Sequence, residues 1–369
     1  MNIPFNKLSR KFANRDDISE IIGNVLQNGY FIHGPQHKLF ELELAQYLGA
    51  GFVLGVGSGT DALEIALRAV GCKKDSKVIN VANAGGYTSL VATNMGCHVI
   101  FCDVDPSSLV MSIENLESLL AQDVSAVVVT HLFGNIAPIE AIVSICRKWG
   151  IKVIEDCAQA IGGFTEGGRV GTIGDIGTFS FYPTKNLGGI GDGGAVATNN
   201  PKIAGALKSL RQYGWGLKYH IDYPNGINSR LDEVQAAVLR IELEELDALN
   251  SKRRKIMARY AAALANSRIK IVTAFEEKNA PHLAVLILPE EIHRDDFIEH
   301  LLIWGIQTEV HYPVLDADQS GLFKERTYYP LDVSRKALTK IVSIPLFPEL
   351  LEEEVDLICE VLANYPSKA

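Results

Sequence analysis

Thr178-Phe-Ser-Phe-Tyr-Pro-Thr-Lys-Asn-Leu-Gly-Gly-Ile-Gly-Asp-Gly-Gly194 sets one lysine, Lys185, between an aromatic run and a string of glycines. Phe179 to Tyr182 has the composition of a strand, and the five glycines among residues 188–194 permit close backbone approaches that a Cβ would block. A lysine held in such a pocket is partly desolvated. Desolvation lowers the pKa of an ammonium and makes the free amine available near neutral pH, as attack on a carbonyl requires. Taken alone, a lysine beside glycines is more often a solvated surface charge. A second stretch changes the weighing.

Val153-Ile-Glu-Asp-Cys-Ala-Gln-Ala-Ile-Gly162 is an apolar strand pattern ending in Glu155-Asp156, where an open α/β sheet presents its strand ends to a ligand crevice. A carboxylate there either caps the helix that follows or holds a heteroaromatic nitrogen protonated so that the ring becomes an electron sink. Lys185 further along the chain favours the second role for Asp156.

The rest of the chain supplies a framework for such a site. Strand-like runs at 52–56, 78–81, 98–103, 125–133 and 195–198 alternate with helical patterns over 16–27, 35–48, 57–68, 106–122, 139–149 and 202–211. That alternation predicts an α/β fold with a mainly parallel central sheet over a large domain, residues 1–245. Asn225 to Arg230 precedes a long amphipathic helix carrying Leu231, Val234, Val238 and Ile241, with Asn228 or Ser229 as candidate caps. From 246 to 369 the pattern changes to a smaller α+β domain: a charged helix at 251–259, strands at 282–288 and 307–311, helices at 294–302 and from Glu352. The basic cluster Lys252-Arg-Arg-Lys255 suits a solvated helix face.

Gly57-Ser-Gly-Thr60 opens the helix at 57–68, and its free N–H groups with the hydroxyls of Ser58 and Thr60 suit either an anion or ordinary capping. His131, at the end of a strand, suits a structural donor. The aromatics of Tyr30-Phe-Ile-His-Gly-Pro35 fit equally over a site or against the core edge.

Composition narrows the function classes. The chain has 369 residues, 47% of them hydrophobic, and a formal net charge of −9 with no dense Lys/Arg run. Nucleic-acid binding is disfavoured on that account. The six cysteines have no Cys-x-x-Cys pair, so neither a metal site nor a disulfide framework is expected, and reduced thiols suit a cytoplasmic protein. No apolar run approaches a membrane span, and the first residues lack an export pattern.

Phe181-Tyr-Pro-Thr-Lys-Asn-Leu-Gly-Gly-Ile-Gly-Asp-Gly-Gly194 closely resembles the lysine motif of the pyridoxal-phosphate sugar aminotransferases, the DegT/DnrJ/EryC1/StrS family. Gly34-Pro35 with Phe40-Glu41, Gly57-Ser-Gly-Thr-Asp-Ala-Leu63, His131-Leu-Phe-Gly134, Asp156-Cys-Ala-Gln159, Asn228-Ser-Arg-Leu-Asp-Glu-Val-Gln-Ala-Ala237 and Ile344-Pro-Leu-Phe-Pro348 are similar to further family signatures, in family order. The resemblance covers nearly the whole chain. It implies a type I aspartate-aminotransferase-like fold and the cofactor pyridoxal 5'-phosphate, bound covalently by Lys185. It further implies Asp156 at the ring nitrogen, Gln159 at the ring hydroxyl, and Ser58, Gly59, Thr60 and Ser180 at the phosphate. Asn228 would reach the phosphate of a neighbouring subunit, which implies a homodimer with shared sites. The implied reaction moves an amino group from L-glutamate to a nucleotide-linked keto-sugar, for surface polysaccharide or glycoside biosynthesis.

The resemblance is less direct elsewhere. Where the family has a shorter, proline-bearing turn and an aromatic that stacks on the cofactor, this chain has Asn83-Ala-Gly-Gly-Tyr87, and Tyr87 is the local aromatic. Arg230 suits the donor carboxylate, the diphosphate or a structural salt bridge. Tyr213-Gly, Lys218-Tyr219 and His311-Tyr-Pro-Val-Leu-Asp-Ala-Asp-Gln319 resemble members acting on dTDP-linked 3-keto-6-deoxy sugars more than those acting at C-4, with Tyr312 as a substrate contact. Ala317 stands where many relatives have histidine. A C-4 enzyme of the same family and a non-catalytic regulatory binder on the same fold are the competing readings; Lys185, Asp156 and Gln159 together weigh against the binder.

Overall fold

The computed structural model describes residues 2–13, 15–323 and 329–365. Seven strands make the central sheet: β1 (Phe52–Val56), β2 (Lys77–Val81), β3 (His98–Cys102), β4 (Val124–Thr130), β5 (Lys152–Asp156), β6 (Ile176–Ser180) and β7 (Gly194–Thr198). Their order is β1-β7-β6-β5-β4-β2-β3. Four neighbouring pairs are parallel, and β7, which returns directly from the lysine loop, is antiparallel to β1 and β6.

The apolar runs are continuous because both faces of the sheet are covered. Alternate residues of β4 enter different cores: Ala126 and Val128 pack with Leu63, Ile65 and Leu67, while Val127 and Val129 pack with Ile139, Ile142 and Cys146. A smaller antiparallel sheet, β8 (Lys270–Ile271), β9 (Ala284–Ile287) and β10 (Ile341–Ile344), packs with Tyr260, Phe297, Leu301 and Ile358.

Several local expectations are corrected. The helix expected over 106–122 shortens to Ile113–Leu119, because the Asp105 carboxylate accepts from the N–H groups of Ser107 and Ser108 and forms a turn that competes with helix. The strand expected over 125–133 stops at Thr130, where Phe133 and Gly134 take φ of +64° and +100° and turn the chain. No strand forms over 307–311: Gln307 pairs with Ile3 and Glu309 with Ser343, so successive partners differ and no ladder extends.

The long amphipathic helix and the charged helix at 251–259 are one 31-residue helix, Glu233–Ala263, which runs across position 245. Neither Asn228 nor Ser229 caps it, since Asp232 is its N-cap. Arg253 of the basic cluster is buried, while Lys252 and Lys255 face out. The six cysteines are free and five are buried. Among the described residues no helix is long and apolar enough to cross a membrane.

Gly134 marks the contact between the two parts. A Cβ there would lie 2.3 Å from the Ala280 carbonyl oxygen, and its φ is disfavoured for any other residue. Gly134→Ala should therefore destabilise the fold by about 2–4 kcal/mol, the combined cost of overpacking and backbone strain, measured by urea unfolding.

Candidate active site

Register alone brings the key strand ends to one edge of the sheet. Asp156 at the end of β5 pairs with Thr130 and Thr178, while Ser180 and Val56 both lie opposite Gly194. These ends open into a cavity of about 670 Å³ whose walls include Ser58, Gly59, Thr60, Tyr87, Asp156, Gln159, Ser180, Lys185 and Tyr312. Nine of the eleven residues singled out in the sequence thus share one cavity. Asn228 and Arg230 do not line it: Asn228 is exposed and Arg230 half-buried on the irregular segment that leads to the long helix.

Lys185 is fixed through its own turn and through the next residue. Its N–H donates to the Tyr182 carbonyl at 2.8 Å. Asn186 donates to Asn250 Oδ1 at 2.8 Å and to the carbonyls of Ala280 and Pro281, and its Oδ1 lies 3.0 Å from Nδ1 of His282. Two distant segments, the long helix at Asn250 and the 280–282 stretch, therefore clamp the residue beside the lysine. Burial lowers the Lys185 pKa to about 8, against the opposing pull of the Asp156 charge. The amine is available near neutrality.

Asp156 is buried, and burial raises its pKa above the ordinary carboxylate value despite the Ala158 N–H at 3.1 Å and the Lys185 charge. A cation at the cavity end of this carboxylate would offset that desolvation. Its neighbour Glu155 takes a different part: it accepts from the N–H groups of Gly171, Ile173 and Gly174 and lies 3.1 Å from His131 Nε2. His131 Nδ1 accepts from Ala137 N–H. The histidine is a structural donor, as its strand-end position implied. Although Cys157 completes a group of donor atoms within 4.8 Å, the hydrogen bonds on His131 and Glu155 already occupy their free positions.

The anion-binding features also converge. Ser58 is the N-cap of the Gly59–Ala69 helix, its oxygen accepting from Asp61 N–H, so capping and an open helix start coexist. A Cβ on Gly59 would come within 2.6 Å of the Ser180 Cβ, so glycine is what lets the helix start and the end of β6 close into one cradle. Ser229 braces this turn by accepting from Gly57 N–H and donating to Asp61, a link the sequence did not reveal.

On the opposite wall, Gln159 accepts from Phe133 N–H at 2.7 Å and donates to the Tyr312 hydroxyl at 2.9 Å. Burial keeps that hydroxyl protonated. Tyr87, 49% exposed, is the first residue of the Tyr87–Asn94 helix. His311, its pKa lowered to about 4 by burial and then by Lys185, is neutral, so its 3.4 Å approach to Glu309 is no ion pair at neutral pH. Asn6, His282, Gln307 and Glu309 also line the cavity and were missed in the sequence, because they come from segments distant in the chain from Lys185; Asp192, within the lysine motif itself, lines it too. Among the described lining residues Lys185 is the single lysine or arginine.

The residues fit pyridoxal 5'-phosphate: a depressed-pKa amine, a buried carboxylate lacking a bonded cation, and a glycine-built cradle at a helix start. A model of the DegT/DnrJ/EryC1/StrS aminotransferase family matches residues 13–363, and the chain belongs to that family. It is 36% identical over 361 residues to a UDP-N-acetyl-3-dehydro-alpha-D-glucosamine 3-aminotransferase of Acidithiobacillus ferrooxidans, covering 98% of this chain and 97% of the relative. It is also 36% identical over 365 residues to a dTDP-3-amino-3,6-dideoxy-alpha-D-galactopyranose transaminase of Aneurinibacillus thermoaerophilus, covering 98% and 99%. The solved structure of NtdA from Bacillus subtilis with bound cofactor PMP matches with a TM-score of 0.91 at 29% identity, covering 98% of this chain and 84% of that one. The protein is an aminotransferase, and its cofactor is pyridoxal 5'-phosphate.

The Lys185 pKa sets a pH dependence. The amine is protonated below about 8 and neutral above. Capture of pyridoxal phosphate by the cofactor-free enzyme should accelerate as pH rises through about 8 and level off beyond it, followed by stopped-flow absorbance. A midpoint near the 10.5 of a solvated lysine would contradict the buried site.

Proposed function

We propose that the enzyme transfers the amino group of L-glutamate to a nucleotide-linked keto-sugar, with a dTDP-linked 3-keto-6-deoxyhexose as acceptor, releasing 2-oxoglutarate and an amino sugar. The observation that carries the chemistry is the pairing of Lys185 and Asp156 in one cavity at the strand ends. Bound pyridoxal phosphate supplies an electron sink that makes the α-proton of the donor acidic. Lys185 would hold the cofactor covalently and, as a neutral amine once free of it, is placed to take that proton and to return it. Asp156 would keep the ring nitrogen protonated by charge, and the buried setting would strengthen that pairing. The N–H groups at Gly59 and Thr60 with the hydroxyls of Ser58, Thr60 and Ser180 would hold the phosphate. Tyr87 would cover the ring, Gln159 would meet its hydroxyl, and Tyr312 would meet substrate.

Two relatives at 36% identity are named for amino groups at C-3, one on a UDP sugar and one on a dTDP sugar, which supports C-3 over C-4. The His311–Gln319 stretch supports the dTDP branch. Charge supports a homodimer: a diphosphate and a dicarboxylate donor need cations, and Lys185 is the one lysine or arginine among the described lining residues. Arg230 and Asn228, outside this chain's cavity, suit the cavity of a second copy.

An absorbance spectrum tests the first half. Wild type with pyridoxal phosphate should show a visible band that L-glutamate converts to the amine form, and Lys185→Ala should lack it. Asp156→Asn should retain the band yet slow the glutamate conversion by about 10²-fold or more, the scale of losing one preorganised charge. The acceptor is tested by assaying dTDP- and UDP-linked 3-keto sugars in parallel. Faster amination of the UDP sugar would overturn the assignment of the nucleotide.

A further inference from the structure

The turn that carries Tyr87 has no cap of its own. Gly85 and Gly86 take φ of +83° and +85°, and Gly86, at the N-cap of the Tyr87–Asn94 helix, has no side chain to accept the exposed N–H groups. The missing acceptor comes from the far end of the chain. Asp316, fully buried, accepts from Gly86 N–H through Oδ1 at 2.8 Å and from the Ser89 hydroxyl through Oδ2 at 2.8 Å. Ser89 in turn accepts from Asn80 Nδ2 of β2 at 3.1 Å, and the Asp316 N–H donates to the Ala82 carbonyl at 2.7 Å.

The same segment also sets the facing wall. Tyr312 lies four residues before Asp316, and its ring would be 2.9 Å from a Cβ on Gly85, so the turn and the tyrosine are in direct contact. A buried carboxylate that accepts two hydrogen bonds is costly to place in a core, and one whose bonds end on a catalytic-site turn has a positional consequence. Asp316 also stands beside Ala317, within the stretch that departs from the family pattern, and it grips the other departing stretch, Asn83 to Tyr87.

We propose that Asp316 is a positioning residue: through Gly86 and Ser89 it fixes Tyr87 against the cofactor space, and through its own segment it ties that turn to Tyr312. The two aromatic walls of the site then share one anchor, and the glycine pair supplies the room for the contact. This rests on the reading of Tyr87 as the residue that covers the cofactor ring.

The test uses full-length enzyme loaded with pyridoxal phosphate. Visible circular dichroism per bound cofactor reports ring orientation, and the rate of the glutamate half-reaction reports its consequence. Asp316→Ala should keep the Lys185-dependent band, lose at least half of the ellipticity and slow the half-reaction about tenfold, the scale expected of sub-ångström misplacement. Asp316→Asn, which can still accept from Gly86, should recover most of both. Tyr87→Leu should give a similar loss, and the double variant Asp316→Ala/Tyr87→Leu should be no worse than Tyr87→Leu alone.

Unchanged ellipticity in Asp316→Ala, or losses that multiply in the double variant, would overturn the proposal even if thermal stability fell. Should Asp316→Ala fail to fold, Ser89→Ala removes one of the two partners; a smaller loss in the same direction is expected, and no change refutes the anchor. Absence of the band in wild type would instead overturn the proposed reaction, so the two failures are distinct.

Discussion

Desolvation of a single opposite-charge pair governs this structure. Lys185 and Asp156 attract one another, yet burial outweighs that attraction at both: the lysine pKa falls to about 8 and the aspartate pKa rises. An ordinary buried ion pair would satisfy itself and be inert. Here neither group has its charge fully compensated by the other, so both are left to interact with something else in the cavity. The arrangement suits a group that offers a carbonyl on one side and a basic ring nitrogen on the other, as proposed for the cofactor.

Keeping that pair apart and exposed to the same cavity requires rigidity around it. The register of β5 against β6 fixes Asp156, and the lysine loop is pinned one residue later by Asn186. Asn250 on the long helix both receives Asn186 and donates to the Ile161 carbonyl, so the helix that crosses from the large sheet toward the small one also braces the lysine. Glutamate 155 works in the opposite sense from its neighbour: every one of its oxygens is occupied, and it organises the 171–174 turn rather than chemistry. Adjacent carboxylates on one strand, pointing to opposite faces, thereby separate structural and chemical duties.

Much of this was legible in the chain. Asp156 at an apolar strand's end and Lys185 before a glycine string announced the site, since strand ends and glycine turns are where backbone geometry makes room for ligands. The helix start at Ser58 to Thr60, proposed to hold the phosphate, was legible because a helix start with hydroxyls is a local feature. The shortened helix at 113–119 and the fused 31-residue helix were less so, because an aspartate turn and a charged but continuous helix both look the same to a periodicity reading. Asn6, Gln307 and Glu309 carried no local signal at all; their place in the wall depends on the amino terminus pairing with the 305–307 segment.

The sequence by itself determined the alternation of strands and helices, the carboxylate at a strand end and the lysine before a glycine string, and the family, because each is encoded over a few residues or a short spacing. Tertiary structure alone decided that nine of the residues singled out share one cavity, that Asn228 and Arg230 do not line it, and that Asp316 caps a helix 230 residues upstream. The physical reason is the range of the interactions. Hydrophobic period and helix start are set by neighbours in the chain, whereas a buried carboxylate finds its donors, and a lysine its depressed pKa, only after packing has excluded water from both.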